Sequence, residues 1–80
     1  MDLRAEWKIA QTHLERRWQL KNFREALALV NAVGAIAEAQ NHHPEVSFGW
    51  GYVQLKITTH DQGNTLTEKD FALAREIDKL

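Results

Sequence analysis

The chain has 80 residues, a formal net charge of −1, an apolar fraction of 44% and no cysteine. This length predicts one domain, residues 1–80, whose small core favours association of subunits. The balanced charge gives no indication of direct nucleic-acid binding or of attraction to an acidic membrane surface. The missing cysteine excludes disulfides, thiolate zinc sites and a cysteine nucleophile.

The first residues, Met1 to Trp7, include acidic side chains and have no apolar core, so they do not resemble a signal peptide. The longest weakly polar run, Ala26 to Ala37, is interrupted by Asn31 and is too short to span a bilayer. We therefore expect a cytoplasmic protein without a membrane partner.

Alternating polarity from Leu14 to Leu20 predicts a half-buried strand, and residues 7–12 suggest a shorter strand before it. Arg16 falls on the apolar side of the longer strand. We expect its aliphatic part to lie along the sheet with the guanidinium in water, a buried ion pair being the less favoured alternative. His13 has no evident partner and is expected to be structural or solvated.

Asn22 is a candidate N-cap for a helix whose apolar residues recur at helical spacing as far as Ala37. This helix is apolar around most of its circumference, which indicates a subunit interface more than a helix deep within its own domain. It should end near Gln40 and Asn41, because Pro44 disfavours helical geometry in the residue before it.

Glycines on either side of Trp50 predict a turn, and residues 52–58 alternate in polarity as a strand does. Thr67 and Asp70 have the spacing of a capping box, with aspartate in place of glutamate, for a helix that runs to the C-terminus. The order is strand, strand, helix, strand, strand, helix, with the first and third strands weak. This order predicts the α+β class.

Three of the four histidines occur within one short stretch: His42 and His43 at the helix exit, and His60 after a strand. Three imidazoles can bind zinc with water as the fourth ligand, but adjacent side chains diverge, and no carboxylate stands at a familiar short metal-ligand spacing. Proton transfer asks less of the geometry, and Glu38 precedes His42 by one helical turn and could orient it. The residues therefore favour proton transfer and leave a metal site open.

At these positions the chain resembles the pterin-4a-carbinolamine dehydratases. The family pattern is an acidic residue, three positions, His-His-Pro, an aromatic residue, Thr-His after a strand, and Asp near the start of the last helix. The matching residues are Glu38, His42, His43, Pro44, Trp50, Thr59, His60 and Asp70. The resemblance covers the chain from Leu14 onward, and Asn41 departs from it, because the family often has Asp there.

The resemblance implies an antiparallel four-stranded sheet with helices packed on one face, assembled into homodimers or homotetramers. It implies the removal of water from 4a-hydroxytetrahydropterin to give quinonoid dihydropterin, in tetrahydrobiopterin recycling, with no cofactor and no metal. A non-enzymatic dimerisation cofactor or an assembly chaperone on the same fold is the alternative.

The resemblance also implies roles for particular residues. The proton-transfer set is His42, His43 and His60, with Glu38 orienting His42, and the division of acid and base between His42 and His60 stays open. Asp70 either caps its helix or holds His60. Pterin contacts are expected from Asn41, Pro44, Trp50, Thr58, Thr59 and Asp61, with Trp50 as a wall for the ring.

Overall fold

The computed structural model describes residues 6–10, 12–59, 63 and 65–80. Four strands and two helices follow one another in the predicted order: β1 (Lys8–Ile9), β2 (Leu14–Gln19), α1 (Phe23–Gln40), β3 (Glu45–Gly49), β4 (Tyr52–Ile57) and α2 (Glu68–Ile77). The α+β class predicted from the sequence is confirmed.

The strands form one antiparallel sheet in the order β1-β2-β4-β3, so β4 is a central strand although it comes last in the chain. Side chains of a strand alternate between the two faces of a sheet. One face therefore presents the fully buried Leu14, Val53, Leu55 and Ile57. Side chains from both helices join these residues in a single core, which confirms helices packed on one face.

An asparagine sets each end of α1, Asn22 through its side chain and Asn41 through its backbone. The Asn22 side chain accepts the Glu25 N–H at 2.9 Å, as the predicted N-cap should. Asn41 adopts the left-handed conformation, with φ 53, and its N–H returns to the carbonyls of Ala37 and Glu38. Asparagine tolerates this conformation better than most residues, so the helix ends here and the chain turns towards β3.

The predicted capping box at the start of α2 is present. Thr67 N–H donates to Asp70 Oδ2 at 2.8 Å, and the Thr67 hydroxyl accepts the Lys69 N–H at 3.3 Å. The helix ends at Ile77, and Asp78 forms its C-cap, so it stops before the end of the chain, where the sequence predicted continuation.

The wide apolar stripe of α1 is only partly covered by its own chain. Its fully buried residues are the small ones, Ala26, Val33 and Ala37. Phe23 and Leu27, which are larger, remain 45% and 40% exposed, although the Phe23 ring lies 5.5 Å from that of Phe48.

The expectation that the Arg16 head group lies in water is wrong. Arg16 Nη1 donates to Asp78 Oδ1 at 2.8 Å, and both side chains are only 10% exposed. The Trp7 indole N–H donates to the same oxygen at 2.7 Å, and the guanidinium lies 4.3 Å from the centroid of the Trp18 ring. The C-terminal end of α2 places Asp78 against the helix-bearing face of the sheet, which the local sequence around Arg16 could not indicate.

Neither helix in the described part of the chain combines the length and the apolar character needed to cross a bilayer.

Candidate functional site

The register of the sheet brings two of the predicted segments to one end of the β3–β4 hairpin. Glu45, the first residue of β3, pairs with Lys56 near the end of β4. The residues just before β3 and just after β4 therefore lie at the same end of these two strands. These are the segment of His42 to Pro44 and the segment of Thr58 and Thr59.

His42 is bonded to a buried carboxylate. Its Nε2 lies 2.6 Å from Asp70 Oδ1, with a side-chain exposure of 13% for the histidine and 0% for the aspartate. No other hydrogen bond to this imidazole is found within the described part of the chain. The contact joins the loop after α1 to the first turn of α2, which are 28 residues apart in the sequence.

Asp70 is held on its other oxygen as well. Its Oδ2 accepts the Thr59 hydroxyl at 2.8 Å and the Thr67 N–H at 2.8 Å. The two threonine hydroxyls are also 2.8 Å apart. Thr59, which follows β4, is 1% exposed. Together with the start of α2 it forms a buried polar cluster that holds the Asp70 carboxylate facing His42.

Asp70 therefore caps its helix, as predicted, and its second partner among the described residues is His42. His60, the partner considered from the sequence, lies outside the described residues, as does Asp61. The His42 contact was missed because a separation of 28 residues leaves no periodic signal.

Glu38 contacts His43, where the sequence suggested His42. Its carboxylate hydrogen-bonds the Nε2 atom of His43, and both side chains are largely exposed, at 78% and 54%. The expected pairing assumed that the helix continues for one more turn. The left-handed Asn41 ends the helix first and directs His42 inward to Asp70.

The remaining predicted contact residues differ in what they offer to a ligand. The Thr58 hydroxyl donates to the Thr12 carbonyl, and the Thr59 N–H donates to the Thr65 carbonyl at 3.1 Å. Asn41 is exposed next to the histidines, and Pro44 is half-buried.

Trp50 is not brought to the histidines within one chain. It occupies the turn between β3 and β4 and is 73% exposed. The five residues of β3 separate it from Pro44, a length of about 17 Å for an antiparallel strand. Trp50 as a wall for the pterin ring therefore stays a prediction, and within one chain the turn places it at the opposite end of β3 from Pro44.

His13 has a partner, contrary to expectation. Its Nε2 lies 2.5 Å from Glu15 Oε2, because residues two apart on a strand share one face. The hydrogen bond from His13 lowers the pKa of the Glu15 carboxyl, and the positive charges of His13, Lys56 and Lys8 act in the same direction. This pair lies in β2 and just before it, and no hydrogen bond in the described part of the chain joins it to His42.

No three histidine or acidic side chains among the described residues gather at metal-binding distances. The arrangement that these residues do form is an imidazole held by a buried carboxylate, beside a second, more exposed imidazole with a carboxylate of its own. Such a pair of imidazoles can accept one proton and donate another near neutral pH.

The fold and these contacts define a small α+β protein with a histidine–carboxylate cluster at one end of the strands of an antiparallel sheet. The sequence model described as pterin 4 alpha carbinolamine dehydratase matches residues 1–80. The chain therefore belongs to the pterin-4a-carbinolamine dehydratase family.

Relatives from two bacteria carry provisional names as pterin-4-alpha-carbinolamine dehydratases. The protein of Rubrobacter xylanophilus is 47% identical over 75 residues, covering 92% of this chain and 69% of the relative. The protein of Alkaliphilus metalliredigens is 42% identical over 78 residues, covering 96% and 69%.

Two solved structures share the fold. A transcriptional coactivator/pterin dehydratase from Brucella melitensis superposes with a TM-score of 0.84 at 26% identity, covering 94% of this chain and 81% of the other. A pterin dehydratase-like RuBisCO assembly factor of the alpha-carboxysome gives 0.71 at 22% identity, covering 99% and 88%. At that identity the second match shows the fold alone.

Proposed function

We propose that this chain is a 4a-hydroxytetrahydropterin dehydratase, a hydro-lyase that works by histidine general acid–base catalysis. The observation that carries the proposal is the contact of His42 with the fully buried Asp70. A buried carboxylate that orients an imidazole is the arrangement expected of a proton-transfer group. Family membership supplies the class of substrate.

The reaction needs one proton donated and one removed. The bond between C4a and the hydroxyl oxygen breaks as an imidazolium protonates the leaving oxygen, because hydroxide itself is a poor leaving group. A neutral imidazole takes the proton from N5, and the electron pair of that N–H bond forms the double bond between N5 and C4a. Water and the quinonoid dihydropterin leave, and proton exchange with solvent restores both imidazoles.

In this proposal His42 and His60 share the acid and base roles, with His43 as the third member of the set. Asp70 orients His42, and Glu38 orients His43. Contacts to the pterin come from Asn41, Pro44, Thr58 and Asp61, and no cofactor or metal takes part. The product would enter the recycling of tetrahydrobiopterin, which aromatic amino acid hydroxylases consume, in the cytoplasm.

Turnover of a synthetic 4a-hydroxytetrahydropterin by the purified protein tests this proposal. We expect acceleration over buffer, a loss of about 10²–10⁴-fold in kcat for His42→Ala or His60→Ala, and no loss for the matched control His13→Ala. The rate should fall on both sides of neutrality, because one imidazole must be neutral and another protonated. Wild-type rates equal to those in buffer would end the enzyme hypothesis.

The second candidate is a non-enzymatic role as a dimerisation cofactor or assembly chaperone. The exposed Phe23 and Leu27 on α1 favour it, because an apolar stripe on a helix is a common docking surface. The name of the Brucella melitensis neighbour, a transcriptional coactivator/pterin dehydratase, points the same way.

The same stripe supports homodimers or homotetramers in either case. We expect Leu27→Glu to shift the sedimentation equilibrium towards the monomer, and Ala39→Glu, near the end of the same helix, to leave it unchanged. A wild-type protein that is monomeric at millimolar concentration would remove self-association from the proposal. Variants of Leu27 that remain active as monomers would separate the enzyme from the docking role.

A further inference from the structure

The hydrogen bonds around Asp70 have a direction that the heavy atoms determine. An ionised carboxylate only accepts hydrogen bonds, and a hydroxyl has one hydrogen to give. Thr59 lies 2.8 Å from Asp70 Oδ2 and 2.8 Å from the Thr67 hydroxyl. Its hydrogen must therefore go to Asp70, and its oxygen accepts the hydrogen of Thr67. The Thr67 oxygen remains able to accept the Lys69 N–H.

The hydrogen bonds to Asp70 Oδ2 are those that an ionised carboxylate accepts. Its Oδ2 accepts both an O–H and an N–H, and its place in the first turn of α2 puts it at the positive end of the helix dipole. Since the carboxylate has no hydrogen to give, His42 Nε2 must carry the hydrogen of the 2.6 Å contact. In the neutral ring the lone pair then resides on Nδ1.

We propose that Thr59 is a positioning residue that, through Asp70, fixes neutral His42 as the Nε2–H tautomer. Nδ1 is then the nitrogen that exchanges a proton with the substrate. The second part of this inference rests on the proposed function, and the tautomer is a property of the protein alone. It also gives the Thr59 side chain a role of its own, because its buried hydroxyl bonds Asp70 and Thr67.

Removal of the Thr59 hydroxyl should loosen this arrangement in two ways. Asp70 Oδ2 would keep only the Thr67 N–H, so the carboxylate could rotate away from His42. The Thr67 hydroxyl would lose its acceptor within the cluster. Residues that orient metal-ligating histidines through hydrogen bonds contribute about 10–100-fold to activity or affinity, and by analogy we expect an effect of that size here.

The tautomer can be read directly by long-range ¹H–¹⁵N correlation of the imidazoles in the full chain, with His42→Gln to assign the signals. At a pH where His42 is neutral, we expect a protonated Nε2 and an unprotonated Nδ1 in the wild-type protein. A protonated Nδ1 in the wild type would overturn the inference.

The variant Asp70→Asn tests whether Asp70 selects the tautomer of His42. If the amide oxygen continues to accept from Thr59 and Thr67, its NH₂ group faces His42, whose Nε2 must then accept. The expected result is reversal to the Nδ1–H tautomer. The same tautomer in wild type and Asp70→Asn would show that Asp70 does not select it, and would overturn the inference.

Thr59→Val, Thr59→Ser and Thr65→Val separate positioning from a general structural effect. Thr65 pairs with Thr59 across an isolated bridge, and its side chain is exposed, so it provides a matched threonine-to-valine control. We expect Thr59→Val to mix the two His42 tautomers and lower kcat by roughly 10–100-fold with little change in KM. Thr59→Ser should restore both properties.

If Thr59→Val and Thr65→Val have the same His42 tautomer and the same kcat, Thr59 does not position His42. The same holds if Thr59→Ser, which keeps the hydroxyl, fails as badly as valine. The Nε2–H tautomer without any turnover in the wild type would refute the proposed enzyme and leave the tautomer assignment standing. Turnover with an Nδ1–H tautomer would refute this inference and leave the enzyme.

Discussion

Each end of α2 has an aspartate that bonds a basic side chain from a distant part of the chain, but the two basic partners differ in chemistry. Asp70 in the first turn bonds His42, and Asp78 at the C-cap bonds Arg16. Both carboxylates are buried or nearly so, and both contacts join the helix to a distant part of the chain. The partner differs: imidazole changes its protonation near neutral pH, and guanidinium does not.

The surroundings of the two pairs reinforce this difference. The Arg16 guanidinium lies near the rings of Trp18 and Trp7, at 4.3 and 5.9 Å from their centroids, and Trp7 also donates to Asp78. Aromatic rings therefore surround the guanidinium at that end, where Arg16, Trp18 and Asp78 also line a cavity of about 210 Å³. The His42 end consists of hydroxyls and an amide behind the carboxylate, with exposed His43 beside it. In the proposed function, the titratable partner, and not the burial of the carboxylate, distinguishes the His42 end from the Arg16 end.

The helix dipole separates the two ends further. An anion is favourable at the N-terminus of a helix and unfavourable at its C-terminus. Asp70 gains from its position, whereas Asp78 depends on Arg16 and Trp7 to offset an unfavourable one. Removal of its cation should thus be costly for the fold.

The largest stability effect is expected for Arg16→Ala. Because it removes the guanidinium from an ion pair in which both side chains are only 10% exposed, we expect a loss of about 3–5 kcal/mol in the free energy of unfolding, measured by urea titration. The kcat of the folded fraction should not change. The neighbouring Arg17→Ala, on the other face of the sheet and stacked on Tyr52, should cost less than about 1 kcal/mol. Equal costs for the two arginines would remove the contrast between the ends.

A smaller effect distinguishes the two helix N-caps. Thr67→Ala and Asn22→Ala each remove a cap and should each cost about 0.5–2 kcal/mol. Only Thr67 belongs to the hydroxyl cluster behind Asp70, so only Thr67→Ala should also lower kcat. If Asn22→Ala lowers kcat to the same degree, the effect comes from stability and not from the position of His42.

The smallest effect concerns the third histidine–carboxylate pair, His13 with Glu15. The pKa of Glu15 is lowered in the folded state, chiefly by the hydrogen bond from His13. A lowered carboxyl pKa contributes stability above the unfolded value of 4.5 that is lost as the pH falls through the folded value. We therefore expect the difference in the free energy of unfolding between wild type and Glu15→Gln to be larger at pH 5.5 than at pH 3. A difference independent of pH would show that the pair does not act through charge.

Local patterns in the sequence were sufficient for the order of the elements and for both helix starts, but not for the end of α2 at Ile77. Alternation predicted β2 and β4, and Asn22, Thr67 and Asp70 predicted the helix caps, because each of these signals spans a few residues. The family motif likewise predicted which residues to consider for the site.

Contacts between distant segments could not be predicted in the same way. The pairs of His42 with Asp70 and of Arg16 with Asp78 span 28 and 62 residues. The assignment of Glu38 to His42 was wrong because one left-handed residue, Asn41, changes the direction of the chain. Trp50 was placed by its spacing in the motif, whereas the sheet register puts it at the other end of the hairpin.

The most direct test of the account is a crossed comparison of His42→Ala and Arg16→Ala in single-turnover dehydration of 4a-hydroxytetrahydropterin, with rates normalised to the folded fraction. We predict a loss of about 10²–10⁴-fold for His42→Ala with a smaller loss of stability, because Asp70 keeps its bonds to Thr59 and Thr67, and an unchanged rate for Arg16→Ala with a larger loss of stability. A wild-type rate no faster than buffer, or equal rates for the two variants, would contradict the assignment of the His42 end as the reactive one.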